Sequence, residues 1–413
     1  MFDLVDILKS DSKSSSASGE LGHDSSTVLF FQTDECRSLV LEAFRFEGMP
    51  EPAIQSNKEA DIKQHVRDTN VEIVILELNQ SDNVVADAEK VNHLLPNDAS
   101  VIVVGSEDAI STIRNLKQLG FYYLFWPITK QELTEFVKGV AENRNRNKGL
   151  GKKRIAKQIS FVGCKGGVGT TFLSSEIGYV LSEAKSSSCV VVDNDYQGGN
   201  LDIMLGVEKF EKRQIRSGNF ISSLDSTTSQ SLLNRQSKML SVLSLSSAEL
   251  PDNEVYGYTK TVSEFLAEEV NFILDDISSS CTQTITYEMV AERSDCVVLV
   301  FSPTVSAVRE AAKIRKRILD ASNNDKLRLI LVLNRTIPDA SSTVELNEMD
   351  KFLRQPVDVE IPYIKKLDTL LLDNKRIWKQ RGKPARAIEK LASLIVGEEK
   401  KKKGLFFSRN RRS

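Results

Sequence analysis

The chain has 413 residues, 40% hydrophobic and 27% charged, an ordinary globular composition long enough for two cores. Its 55 Lys and Arg against 57 Asp and Glu leave a formal charge of −2, which argues against a protein that coats nucleic acid along its whole length. Its 5 cysteines are scattered without a C-x-x-C pair, so they read as reduced thiols rather than a disulfide frame or zinc site, and no apolar run reaches the roughly 18 residues of a membrane span.

Residues 1–26 are expected to be disordered. The opening MFDLVDILK is too short and too acidic to be a secretory signal, so the expected location is the cytoplasm. The stretch 10–26, SDSKSSSASGELGHDSS, is polar, serine-rich and aperiodic.

Over 27–143 the pattern alternates apolar strands (VLFFQ, EIVILEL, SVIVVGS, YYLFW) with helix-like stretches at 36–46 and 107–119. Near-continuous apolar strands between helices predict a parallel sheet covered on both faces. This order, ending in aromatic-Trp-Pro, resembles a response-regulator receiver domain. The resemblance implies an acidic pair after the first strand, a phosphoacceptor aspartate after the third, a hydroxyl after the fourth and a lysine before the proline. Here Gln32 and Thr33 replace the acidic pair, with Asp34 and Glu35 beyond it, and Glu77 takes the acceptor place. Gly105 takes the hydroxyl position, with Ser106 next, and Trp126 precedes Pro127. The expectation is a pseudo-receiver used as a protein-binding surface.

The stretch 141–157, AENRNRNKGLGKKRIAK, holds seven basic residues, one acidic residue and two glycines. It predicts a flexible cationic linker over 144–156, either a plain hinge or a contact for phosphate or anionic lipid.

From 157 to 397 a second unit opens with a strand, QISFVG, a glycine-rich turn, GCKGGVGTT, and a helix, TFLSSEIGYVLSEAK. Leu173, Ile177, Val180, Leu181 and Ala184 recur at helical spacing and predict one buried face. Strand, glycine turn and helix N-terminus together form an anion cradle. The turn departs from the G-x-x-x-x-G-K-[ST] pattern: Cys164 stands at its first glycine and Thr170 at its lysine. Cys164 reads either as a small residue filling a tight turn or as a redox-sensitive thiol. Asp193 and Asp195 leave the end of the strand CVVVD, and VNFILDDISSS ends another strand in two acids. Asp276 is favoured as the Mg²⁺-linked acid, with Asp275 the alternative. CVVLVFSP and LRLILVLNR complete a parallel sheet, the latter ending in Asn334 and Arg335.

These motifs resemble the deviant Walker A ATPases of the MinD/ParA superfamily, whose loop reads K-G-G-x-G-K-[ST] with a signature lysine first. The similarity runs over about 157–396. Lys165 matches the signature lysine, and Gly166, Gly167, Gly169 and Thr171 match the rest. VVVDNDYQGGNLDIMLG looks like the switch I region, FSPTVSAVREAAKI like the strand-to-helix segment after Walker B, and VLNR like the adenine-side motif. IPYIKKL looks like the loop closing over the base. A pseudo-receiver ahead of such an ATPase resembles the TadZ/CpaE family of Tad (Flp) pilus assembly proteins, and the segment LLNRQSKMLSVLSL within the ATPase unit also fits that family.

The resemblance implies ATP and Mg²⁺ as cofactors and a homodimer formed around ATP. Lys165 would reach the partner's phosphates, and Asp193 and Asp195 would act in catalysis. Gly166, Gly167, Val168, Gly169, Thr170, Thr171, Asn334, Arg335 and Pro362 would contact the nucleotide, and Thr171 and Asp276 the metal. It further implies a factor that marks a cell position, often the pole, and recruits the pilus secretion machinery. Thr170 removes the lysine that contacts β and γ phosphates, so hydrolysis is expected to be slow or absent; for comparison, an arginine finger contributes about 10³ to 10⁵ in the rate of phosphoryl transfer.

The tail, 398–413, holds two acids and seven bases around Leu405, Phe406 and Phe407. It reads as a reversible anchor on an anionic membrane, a nonspecific DNA or partner contact, or a solubilising end. DNA as a travelling surface is not expected, since the ATPase unit itself shows no basic run. The fold expectation is α/β, two doubly wound parallel-sheet domains, receiver-like then P-loop. The alternatives in function are a nucleotide-independent structural hub and a MinD/ParA-type ATPase positioning another cargo on membrane or DNA.

Overall fold

The computed structural model describes residues 27–146, 154–207, 210–216, 224–322, 324, 326–338 and 344–398. The expected disordered segment 1–26, the middle of the basic linker and the tail from 399 lie outside the described residues. No helix among those described is long and apolar enough to cross a membrane.

Two parallel sheets carry the chain. The first has five strands in the order β2-β1-β3-β4-β5: β1 Thr27–Phe31, β2 Ala53–Ser56, β3 Ile73–Glu77, β4 Ser100–Gly105 and β5 Tyr122–Phe125. This 2-1-3-4-5 order is that of the doubly wound flavodoxin type. β3 is buried along its length and β4 from Val101 onward, because helices cover both faces. Strand β2 (AIQS) and the helix Glu59–Asp68 lack a long apolar run, and the sequence pattern did not mark them.

The second sheet has nine strands, in the order β14-β13-β12-β6-β11-β7-β10-β8, with β9 antiparallel on β10. Their ranges are β6 Lys157–Gly163, β7 Cys189–Asp193, β8 Arg213–Gln214, β9 Asn234–Arg235, β10 Leu240–Ser246, β11 Phe272–Ile277, β12 Cys296–Phe301, β13 Arg328–Asn334 and β14 Val359–Ile361. The helix Thr170–Tyr179, continued by a π-helical turn over Val180–Ala184, is buried nearly all round rather than on one face. Ser174, Ser175 and Glu176 are as enclosed as Leu173 and Ile177, whereas Ala184 is exposed. The helix is buried on this side too because Lys383–Val396 packs over it from the C-terminal end of the chain.

The two sheets meet along a polar seam. Asn271, just before β11, donates from Nδ2 to Leu95 O (2.8 Å), and its Oδ1 accepts from Ser188 N and Oγ, just before β7. Ser187 Oγ donates to His93 O at 2.7 Å. Arg154, which the composition assigns to the linker, is instead fixed. Its guanidinium donates to Pro96 O and Ala99 O and lies 5.6 Å from the centre of the Phe121 ring. Burial pulls its pKa down to about 10.

Candidate functional site

Strand β6 lies centrally in the large sheet and ends at the glycine loop, where backbone geometry dictates the residue types. Gly167 and Gly169 have φ of 76° and 87°, the left-handed region that favours glycine. A Cβ on Gly169 would fall 2.3 Å from Asn334 Nδ2, and one on Gly163 would fall 2.4 Å from Thr170 Oγ1. Asn334, at the end of β13, donates from Nδ2 to Val168 O at 2.8 Å and so braces the loop from the side. Lys165, Gly166 and Gly167 are exposed at the rim. Cys164 is buried, and burial pushes its thiol up to about 12. A thiol held that firmly in its protonated form suits the filling of a tight turn, not redox chemistry.

Thr170 is buried with its hydroxyl turned back against Gly163. Thr171 is half-buried, and its backbone carbonyl accepts from Ser174 Oγ at 3.0 Å. The two candidate acids of β11 go to opposite faces of the sheet, as the period of a strand requires. Asp275 accepts from Gln158 Nε2 and, at 3.4 Å, from Asn194 Nδ2, and its charge reaches Arg293. Asp276 lies on the other face with the Thr171 and Ser174 hydroxyls, and burial pushes its carboxyl up to about 7. The charges of Asp193 and Asp195 add to that shift, while the two hydroxyls oppose it. Asp276 is the register partner of Asp193 on β7.

Asp193 is almost fully buried and well satisfied. Its Oδ2 accepts from Ser244 Oγ and pairs with Lys212 Nζ, both at 2.8 Å, and its Oδ1 accepts from Asp195 N at 3.1 Å. Asp195 accepts from Ser280 Oγ at 2.9 Å. A Cβ on Gly166 would lie 3.5 Å from Ser279 Oγ, so the segment after β11 closes against the loop. Arg335 is committed elsewhere, paired with Glu360 of β14, and Pro362 follows β14 at the sheet edge.

Sequence reasoning missed Lys212, Ser244, Ser280 and Ser174. The run ISSS carries no motif, and Lys212 sits in a short charged stretch without a pattern. Among the described residues, no group of three or more His, Cys, Asp or Glu is placed to hold a metal by itself. At this end of the sheet, Asp276 Oδ1 is among the buried oxygens of the described residues that have no hydrogen bond. A buried carboxylate beside a threonine hydroxyl at a phosphate-type cradle fits Mg²⁺, which binds through one or two carboxylates and completes its shell with phosphate and water.

No protein-family model and no curated protein matches the chain. Solved structures similar to it are ATPases of the MinD/ParA group. A ParA family ATPase from Chlorobium tepidum aligns with a TM-score of 0.49 at 20% identity, over 57% of this chain and 98% of that one. The septum site-determining protein MinD of Pyrococcus horikoshii, solved with Mg-ADP, gives 0.44 at 19% identity over 58% and 96%. The MinC:MinD cell division complex of Aquifex aeolicus gives 0.48 at 22% identity over 59% and 97%.

Proposed function

We propose that this protein is a MinD/ParA-type switch of the TadZ/CpaE kind, which binds Mg·ATP, dimerises around it and positions the Tad pilus secretion machinery. The observation that carries the nucleotide reading is the unpartnered Asp276 Oδ1, buried beside Thr171 at the end of a glycine cradle that a Cβ would fill. Asp276 and Thr171 would hold the metal. The backbone of Gly166, Gly167, Val168 and Gly169, with Thr170 and Thr171, would take the phosphates. Asn334, Arg335 and Pro362 would border the base, with Asn334 also bracing the loop and Arg335 reaching the base only by leaving Glu360.

Bound ATP supplies the anionic terminal phosphate that distinguishes the two states of such a switch. Lys165, exposed at the rim, is free to serve a partner subunit, and Asp193 and Asp195 form the sensing loop. With Thr170 packed against Gly163, turnover is slow or absent.

In the same reading 27–143 is a pseudo-receiver and 157–397 the ATPase, joined by 144–156. Glu77 supports this, because its carboxylate accepts from Gln32 N, from Thr33 N at 2.9 Å and from Thr33 Oγ1 at 2.6 Å. A carboxylate so enclosed is a structural cap and not a phosphoacceptor. The protein works in the cytoplasm, with 398–413 meeting an anionic membrane surface.

Sedimentation velocity of the full chain with Mg·ATP and with EDTA, alongside phosphate release, tests the reading. The expected result is a nucleotide-dependent dimer with little phosphate released. Lys165→Ala stays monomeric, and Thr170→Lys raises the release rate. A monomer with no measurable ATP affinity removes the proposal.

A further inference from the structure

The loop lacks the lysine that its pattern calls for, yet another ammonium stands on the carboxylates beside it. Lys212 approaches from the short segment ahead of β8. Its side chain is 18% exposed, and its Nζ lies 2.8 Å from Asp193 Oδ2 and donates to Asp195 O. β8 is held in register on β10 through Arg213 and Leu245, and β10 in turn on β7, so Lys212 is fixed by the sheet itself. Asp193 and Asp276 are lateral partners on adjacent strands, which lie about 4.8 Å apart.

The charge balance makes this ammonium consequential. Asp193, Asp195 and Asp276 line one end of the sheet, so three carboxyl groups already stand where an anion would enter. A triphosphate entering that end adds several more negative charges, which Mg²⁺ alone does not offset. At Thr170, where a P-loop would supply the cation, there is a buried hydroxyl. A lysine stem is long and its ammonium is a compact point charge, so a modest rotation carries it from one anion to a neighbouring one.

We infer that Lys212, paired with Asp193, is the intrasubunit phosphate-binding cation of this site and stands in for the lysine absent at Thr170. This rests on the nucleotide reading above. The contacts of Lys212 with Asp193 and Asp195 also pin the sensing loop, so ligand entry and loop release become one event. Asp193 gives up its ammonium partner when the phosphates take it and keeps Ser244 and the Asp195 amide.

The test is the binding affinity of the full chain for Mg·ATP and for adenosine, measured by calorimetry on wild type, Lys212→Ala, Lys212→Arg and Lys212→Ala/Thr170→Lys. Expected are a loss of at least tenfold for Mg·ATP in Lys212→Ala with adenosine unchanged, near-retention in Lys212→Arg, and recovery of most of the loss in the double variant. Equal Mg·ATP binding by wild type and Lys212→Ala overturns the inference while leaving the nucleotide reading intact. An equal loss for Mg·ATP and adenosine also overturns it, because that marks a distorted loop and not a missing charge. Wild type that binds no Mg·ATP removes the nucleotide reading and this inference with it. Thermal melts of each variant without ligand identify any that fail to fold, and Lys212→Arg then decides alone: binding within about threefold of wild type supports the role, and loss beyond tenfold rejects it.

Discussion

Gly169 shows how little freedom a single position of the loop has. Its φ of 87° and the 2.3 Å approach of Asn334 to a virtual Cβ leave no room for alanine. Holding a non-glycine residue in the left-handed region costs about 1–3 kcal/mol, and the clash displaces Asn334 from Val168. Gly169→Ala is therefore expected to lower unfolding free energy by about 1–3 kcal/mol in urea titration and to weaken Mg·ATP binding at least tenfold. Asp276→Asn separates folding from ligand binding. It removes a buried carboxyl whose charged form is disfavoured, so the ligand-free protein at pH 8 melts higher than wild type while Mg²⁺-dependent nucleotide affinity is lost. A lower melting temperature together with intact affinity refutes this reading of Asp276.

At this scale the sequence was legible where backbone geometry constrains identity, as at Gly167 and Gly169 in the left-handed region. The alternation of a strand is enough to split two adjacent aspartates onto opposite faces. It was not legible where a contact depends on folding distant segments together. Lys212 and Asp193 are brought into contact by strands that pair across the sheet, and nothing local in the stretch around Lys212 signals it.

Among the elements, the helix Thr170–Tyr179 is tied to the segment after Asp195 through one arginine. Arg376 donates to Met204 O at 2.6 Å, lies 3.7 Å from Glu176 Oε1 and stacks 4.4 Å from the Tyr179 ring centre. Tyr179 OH in turn donates to Leu205 O at 2.8 Å, so the short helix Leu201–Leu205 is gripped at its C-terminal end. Burial pushes the Glu176 carboxyl up, while the Trp378 amide and Arg376 hold it down. Removing one member of a buried pair leaves the other uncompensated, at about 3–5 kcal/mol. Arg376→Ala should cost that much, and Arg376→Ala/Glu176→Gln should recover part of it in a double-mutant cycle. Additive losses would show that the two residues do not interact. The helix itself was legible from its spacing, but its all-round burial was not, because the covering helix Lys383–Val396 lies some 200 residues away in sequence.

For the whole molecule, the division into two parallel sheets followed from strand composition, whereas the way they meet did not. Asn271, Ser187 and Arg154 carry no motif, and composition placed Arg154 in a flexible hinge. His93 at the same seam gives a pH signature. Burial pulls its imidazole down to about 4, helped by Lys185, Lys63 and Lys157 and opposed by Glu398. The folded pKa lies below the unfolded value of 6.5, so the unfolded chain binds the proton first. Stability contributed above pH 6.5 is thus lost as pH falls towards 4, by up to about 3 kcal/mol. In His93→Gln that acid limb should flatten relative to wild type between pH 6.5 and 4, followed by chemical denaturation at each pH. A difference between the two proteins that does not vary with pH would refute the assignment.

The seam residues also have a particular position along their strands. Arg154 leads into β6, Ser188 into β7 and Asn271 into β11, and these same strands end at the glycine loop, at Asp193 and at Asp276. Each runs roughly 17–23 Å, at about 3.3 Å per residue. The first domain therefore grips the near ends of three stiff rods whose far ends are the cradle and its acids. If a partner docked on the first domain moves those rods, nucleotide must change that partner's affinity by the same factor, because linkage has no preferred direction.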